Sequence, residues 1–226
     1  MTLLKSFEEL DYSQALESST EAQKWLEKHG RRFGQFINGK FVKRKNAELI
    51  ASHNPSNGEL LAHIEVANTS QLDAAVTAAR KAQPKWQALG GHGRAKVLYA
   101  LARLLQKHTR LTAVLETLDN GKPIRESRDI DIPLAIRHFY HHAGWAQLQE
   151  QELSSYKPIG VAAQIVPWNF PLLMLAWKIP LPWQWATRSY LNPLNKHLSL
   201  LCSLLICVNK PESLLVSLIS SMVLAM

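Results

Sequence analysis

A helical period of apolar positions organises the middle of this chain, and after residue 179 that period is gone. The clearest case is Val97, Leu98, Leu101, Leu104 and Leu105, continued by Val114, Leu115 and Leu118. These positions predict one long helix, stopped by Gly121. Before it, Thr69 or Ser70 is the expected N-cap of a helix whose inner face holds Leu72, Ala75, Val76 and Ala79. Pro84 and the cluster Gly90-Gly91-His92-Gly93 are expected to close that helix. A third helix is predicted from Pro133 to about Gln149. Residues 1–32 read as a polar, mostly helical extension, with Ser18-Ser19-Thr20 opening a short helix through Lys28. Two strands around a Gly39 turn follow, and then a strand near residues 60–66. No internal repeat is present.

Val161-Ala162-Ala163-Gln164-Ile165-Val166 is nearly all apolar and predicts a strand buried on both faces. Gly160 supplies a turn before it, and Pro167 ends it because proline cannot donate to a sheet ladder. A helix is expected through residues 172–177, with Pro171 tolerated in its first turn. Trp168 and Asn169 therefore fall on the connection at the strand's C-terminal edge, where open α/β sheets bind cofactors and substrates. An Asn amide at such an edge can donate to a developing oxyanion, and it can equally cap an ordinary loop.

Composition narrows the class without naming a reaction. At 226 residues and 46% hydrophobic, the chain has room for one large or two small globular domains. Its net charge of +8 is spread along the sequence, densest at Arg31-Arg32 and Lys43-Arg44-Lys45. A nucleic-acid site would show a basic stripe interleaved with stacking aromatics; both clusters read as solvated surface, so no nucleic-acid partner is expected. No secretory signal is apparent, and the expected location is cytoplasmic.

His138, His141 and His142 share one helix face in principle, a spacing that can bind zinc. No Cys, Asp or Glu nearby completes a set, and no metal is expected. Asp129 and Asp131 lie two apart, which does not place them on one helix face. They read as solvated charges at a helix start.

Several motifs, in order, carry a family resemblance. Pro167-Trp168-Asn169-Phe170-Pro171-Leu172-Leu173 with Ala176-Trp177-Lys178 resembles the first nucleotide-domain motif of the NAD(P)-dependent aldehyde dehydrogenases. Phe36-Ile37-Asn38-Gly39-Lys40-Phe41-Val42 resembles the family's opening hairpin, and Asn54-Pro55-Ser56-Asn57-Gly58-Glu59 its Asn-Pro-x-x-Gly-Glu turn. Ala74-Ala75-Val76-Thr77-Ala78-Ala79-Arg80 with Trp86 resembles the next helix. Glu116-Thr117-Leu118-Asp119-Asn120-Gly121-Lys122-Pro123 resembles a later helix end. The resemblance spans roughly residues 33–179.

The resemblance implies an α/β fold: the N-terminal part of the aldehyde dehydrogenase architecture, with hairpin, long helices and the first strand of a Rossmann-like nucleotide-binding domain, incomplete. Three segments are expected: a helical extension over 1–32, a partial NAD-binding domain over 33–179, and a non-family apolar tail over 180–226. Asn169 matches the family's oxyanion-hole Asn. Ile165, Val166, Pro167 and Trp168 match the loop lining the cofactor cleft, and Lys178 matches a Lys near the nicotinamide end. The implied cofactor is NAD or NADP, the implied substrate an aldehyde, and the family forms homo-oligomers.

A family member would continue past Lys178 with an Ala-Pro-Ala-Leu-type segment, Gly-Asn-Thr-Val-Val, and a Lys-Pro-x-Glu turn binding the adenine ribose. A Gly-x-x-x-x-Gly phosphate turn, a Glu general base and a Cys nucleophile come later. Here the chain reads Pro180-Leu181-Pro182-Trp183-Gln184-Trp185-Ala186 and goes on into apolar runs over 198–208 and 213–226. Read one base out of frame, Trp183 and Gln184 must encode Ala, and Trp185 and Ala186 must encode Gly. Synonymous codons then allow Asn-Thr-Val-Val-Phe-Lys-Pro-Ala-Glu-Gln-Thr-Pro, so one base lost between Ile179 and Pro180 suffices to explain the departure from the family sequence. The expectation is an out-of-frame tail and a chain without the catalytic Cys and Glu, inactive alone. Cys202 and Cys207 lie in this tail without the nucleophile's flanking motif.

The alternative is a non-catalytic interaction or membrane-associated protein that reuses the family's N-terminal half. Against a membrane span, the runs of 11 and 14 residues fall short of the ~20 needed, and Lys210 and Glu212 between them are costly in hydrocarbon.

Overall fold

The computed structural model describes residues 17–184, 188–193 and 223–224, with the backbone alone from residue 183 onward. Most of the tail, including Cys202, Cys207 and the run 198–208, lies outside the described residues, as does the start of the extension. Helix α1 (Thr20–Lys28) buries Ala22 and Leu26 and leads into a three-stranded sheet. In that sheet β1 (Arg32–Phe33) runs parallel to β5 (Leu60–Glu65), which pairs antiparallel with β4 (Leu49–His53). The hairpin of β2 (Gln35–Ile37) and β3 (Lys40–Val42) forms around Gly39 as expected, with Phe36 opposite Phe41.

Helix α2 (Thr69–Ala88) is capped one residue before the earlier of the two predicted caps. Asn68 is the N-cap, its side chain accepting from the Gln71 N–H while the Gln71 side chain accepts from the Asn68 N–H. The helix also runs through Pro84 instead of ending there. Its inner face is Gln71, Ala75, Ala79 and Trp86, and Leu72 is exposed. The Gly90 cluster does not form a loop: α3 (Gly90–Lys107) begins at once, with Gly90 at positive φ making the break. Gly91 admits the backbone of a later helix, since a Cβ there would sit 2.2 Å from the Ala146 carbonyl oxygen. The predicted long helix divides at His108 into α3 and α4 (Thr109–Asn120), and Gly121 stops α4 in the left-handed conformation.

A short turn of helix, α5 (Ile124–Glu126), passes through a π-helical turn (Ser127–Asp131) into α6 (Ile132–Glu152). Helix α6 packs along α3 and against α7 (Pro171–Lys178). Their apolar faces share one core with Trp86, Leu98, Leu115, Phe139 and Leu172.

Strand β6 (Val161–Val166) forms where expected but is not buried on both faces. Only Val166 is buried; Ile165 is 51% exposed, because the outer face of the strand borders an open cleft. Past the short α8 (Pro180–Gln184), β7 (Arg188–Pro193) lies parallel to β6 in unbroken six-residue register. The sheet order is β3-β2-β8-β7-β6, β8 being Val223–Leu224. The tail thus contributes strand backbone to the sheet, where the sequence led us to expect only one parallel strand.

Candidate functional site

The connection from β6 to α7 is shaped by its two prolines. Pro167 stops the ladder, and Pro171 occupies the first turn of α7, where a missing N–H costs nothing. Between them Trp168, Asn169 and Phe170 are exposed, Trp168 at 64%.

Three groups from the end of α4 hold this loop. The Asn120 side-chain amide donates to the Trp168 carbonyl at 2.9 Å. The Lys122 ammonium sits 3.9 Å from the centre of the Phe170 ring, a cation–π contact. The fully buried Glu116 carboxylate accepts from the Leu172 N–H at 3.5 Å. That donor belongs to the first turn of α7, which has no side-chain cap of its own and favours a negative charge.

The charges beneath are paired. Lys122 Nζ lies 2.5 Å from Asp131 Oδ2 and 4.0 Å from Glu116 Oε1. Asp131 is therefore buried and ion-paired, which corrects its reading as a solvated charge: the π-helical turn carries it inward. Asp129 is exposed and bonds to Arg128, which holds its carboxyl below the usual range. Asp119 is likewise buried, accepting from the Ser52 hydroxyl at 2.7 Å.

On the outer side of β6 lies a cleft of about 680 Å³, lined mostly by apolar side chains. Ile159, Ile165, Trp177 and Leu181 form its walls, and Lys178 brings a cationic side chain. The Gln164 amide donates to the Lys178 carbonyl at 2.8 Å and ties β6 to the end of α7. Of the residues singled out from the sequence, Ile165 and Lys178 line this cleft, and Pro167, Trp168 and Asn169 lie on the loop beyond the end of the strand. Val166 points into the core instead. Glu116, Asn120 and Lys122 were visible in the sequence as part of a motif, yet nothing in their spacing pointed to the distant loop.

His138 is half-buried, 5.4 Å from the Trp177 ring centre, and His142 is buried. Burial first, then His142 and His141, lowers the pKa of His138. Among the described residues no group of three or more His, Cys, Asp or Glu is arranged to hold a metal. None of the described helices is long and apolar enough to cross a membrane.

Comparison with known proteins gives this geometry a context. The profile of the aldehyde dehydrogenase family matches residues 41–183. The chain is 42% identical over 156 residues to the putative aldehyde dehydrogenase DhaS of Bacillus subtilis, covering 64% of this chain and 32% of that protein. It is 39% identical over 155 residues to the mitochondrial aldehyde dehydrogenase family 2 member B4 of Arabidopsis thaliana, covering 63% and 29%. The NAD+ complex of an aldehyde dehydrogenase from Bacillus cereus superposes with a TM-score of 0.76 at 30% identity, covering 93% of this chain and 44% of that one. The chain therefore spans about a third of the length of these curated relatives.

Proposed function

The chain belongs to the aldehyde dehydrogenase family, and from that premise we propose that residues 33–179 are the opening portion of an NAD(P)-dependent fold that oxidises an aldehyde to a carboxylic acid. The observation that carries this reading is the loop between β6 and α7: an exposed Asn169 after the C-terminal end of a parallel strand whose outer face lines a largely apolar cleft. Asn169 is the oxyanion donor. Its amide would hydrogen-bond the oxygen of an aldehyde as the carbonyl carbon becomes tetrahedral, a contribution of about 3–4 kcal/mol in a preorganised site.

Ile165 in the cleft and the exposed Trp168 on the loop that follows β6 offer apolar surface to a planar ring, and Lys178 offers a cation to the cofactor. These residues fit one end of a dinucleotide. A nicotinamide cofactor, when bound, supplies the acceptor for hydride; the chain's own part is to hold the ring against a dry wall and to bind the substrate oxygen. The reading carries with it an aldehyde as substrate class, self-association as in the family, and a cytoplasmic location.

The chemistry also needs a thiolate to attack the carbonyl and a base to activate water. The two cysteines, Cys202 and Cys207, both lie outside the matched residues 41–183, and we assign neither as nucleophile. Residues 180–226 are proposed to be out-of-frame translation, which leaves this chain without turnover. The end of the family match at residue 183, just past the break inferred at residue 179, supports that reading.

NAD+ titration of the purified chain, followed by an aldehyde oxidation assay, tests the proposal. Steady NADH production above the protein-free rate would overturn the inactivity. Weak NAD+ binding that Trp168→Ala reduces is the expected result, and binding indifferent to Trp168 and Lys178 would remove the assigned cofactor site.

A further inference from the structure

The proposed chemistry leaves the motif Glu116-Thr117-Leu118-Asp119-Asn120-Gly121-Lys122-Pro123 unused, and the structure places it against the oxyanion loop. We propose that Asn120, Lys122 and Glu116 are positioning residues that set the conformation of the loop carrying Asn169. The functional meaning of this role rests on the reading of Asn169 as oxyanion donor; the restraint itself does not.

The three contacts fall on consecutive parts of the loop. Asn120 bonds the Trp168 carbonyl, one residue before Asn169. Lys122 packs on the Phe170 ring, one residue after it. Glu116 takes the Leu172 N–H at the start of α7. Asn169 is thus bracketed on both sides, while its own side chain stays exposed and free to face a ligand.

Each contributor is itself fixed. Gly121, at φ 84°, turns the chain so that Asn120 and Lys122 both reach the loop. A Cβ there would approach Pro55 at 3.1 Å, so the turn packs tightly on the 54–59 segment. Asp131 pins the Lys122 ammonium from below at 2.5 Å, and Ser52 bonds Asp119 next to Asn120. A loop of three exposed residues with no pairing of its own in the sheet would otherwise sample many conformations. A donor that must meet an oxyanion in a defined direction gains from such restraint.

Hydrogen exchange of the full chain, read by mass spectrometry on peptides spanning residues 166–175 and 135–150, tests the role. In Asn120→Ala the loss of one hydrogen bond raises loop exchange by about five- to tenfold, with the α6 peptide unchanged. Phe170→Leu, which removes the ring under Lys122, has the same local effect, whereas Lys122→Arg, which keeps both cation and ring contact, leaves the loop near its original rate. Unchanged loop exchange in both Asn120→Ala and Phe170→Leu overturns the proposal. An equal rise in the α6 peptide overturns it too, because that is the mark of general destabilisation. NAD+ binding is measured on the same samples: its absence, with the exchange pattern as expected, counts against the proposed function and leaves the positioning role standing.

Discussion

Lys122 is held between two buried carboxylates and an aromatic ring, so its removal leaves more behind than a lost contact. Lys122→Met strands Asp131 as a buried charge, and the chain is expected to lose about 3–5 kcal/mol. Urea unfolding checks this: the midpoint falls and the slope is kept. Asp131 also shows where residue-level reading stops. Spacing separated Asp129 from Asp131 correctly, but a π-helical turn decides which of them enters the core, and its partner Lys122 comes from the connection after α4. His138 contributes a pH dependence. Burial lowers its pKa, so its neutral form is favoured in the folded state. The associated stability is fully present above the ordinary value of 6.5 and is lost as pH falls below that toward the folded-state value. Thermal unfolding should therefore shift downward between about pH 7.5 and about pH 5.5, and His138→Phe should shrink that shift. A shift of equal size in the variant would assign the effect to other groups.

At the scale of elements, hydrophobic period located the helices well and their ends poorly. Val97 through Leu118 read as one helix because the apolar face continues across His108, where the backbone bends without a Gly or Pro to mark it. The Gly90 cluster misled in the opposite sense, since Gly91 serves close packing against Ala146 and its neighbours continue the helix. Strand β4 buries only the polar Ser52 and shows no clear alternation, which left it unseen. The loop between β6 and α7 was legible because two prolines bound it. Its supports were not, because they lie some 50 residues earlier in the sequence, as with Asn120 and Trp168 at a separation of 48. Gly121 joins the two. Its left-handed backbone and its contact with Pro55 predict that Gly121→Ala costs about 1–2 kcal/mol, measured by denaturant titration, and loosens the loop; an unchanged midpoint would show that the turn has another way to close.

For the whole molecule, likeness in backbone runs further than likeness in sequence. The solved aldehyde dehydrogenase of Bacillus cereus superposes on 93% of the chain, whereas the curated relatives align with 63–65% of it. Beyond residue 183, β7 keeps parallel register with β6 although its residues match none of the family's motifs. Exposed Trp145, Leu148, Ile159, Ile165, Trp168 and Trp177 leave apolar surface around the cleft and on α6, more than a finished interior would show. The out-of-frame tail proposed above would leave this surface without the family's cover and would supply none of the family's chemistry. Sequencing the coding DNA across codons 175–200 tests this most directly. The account predicts that a one-base shift near codon 179 opens a frame encoding Gly-Asn-Thr-Val-Val followed by Lys-Pro-x-Glu. A coding sequence in which no frame yields that turn would contradict it.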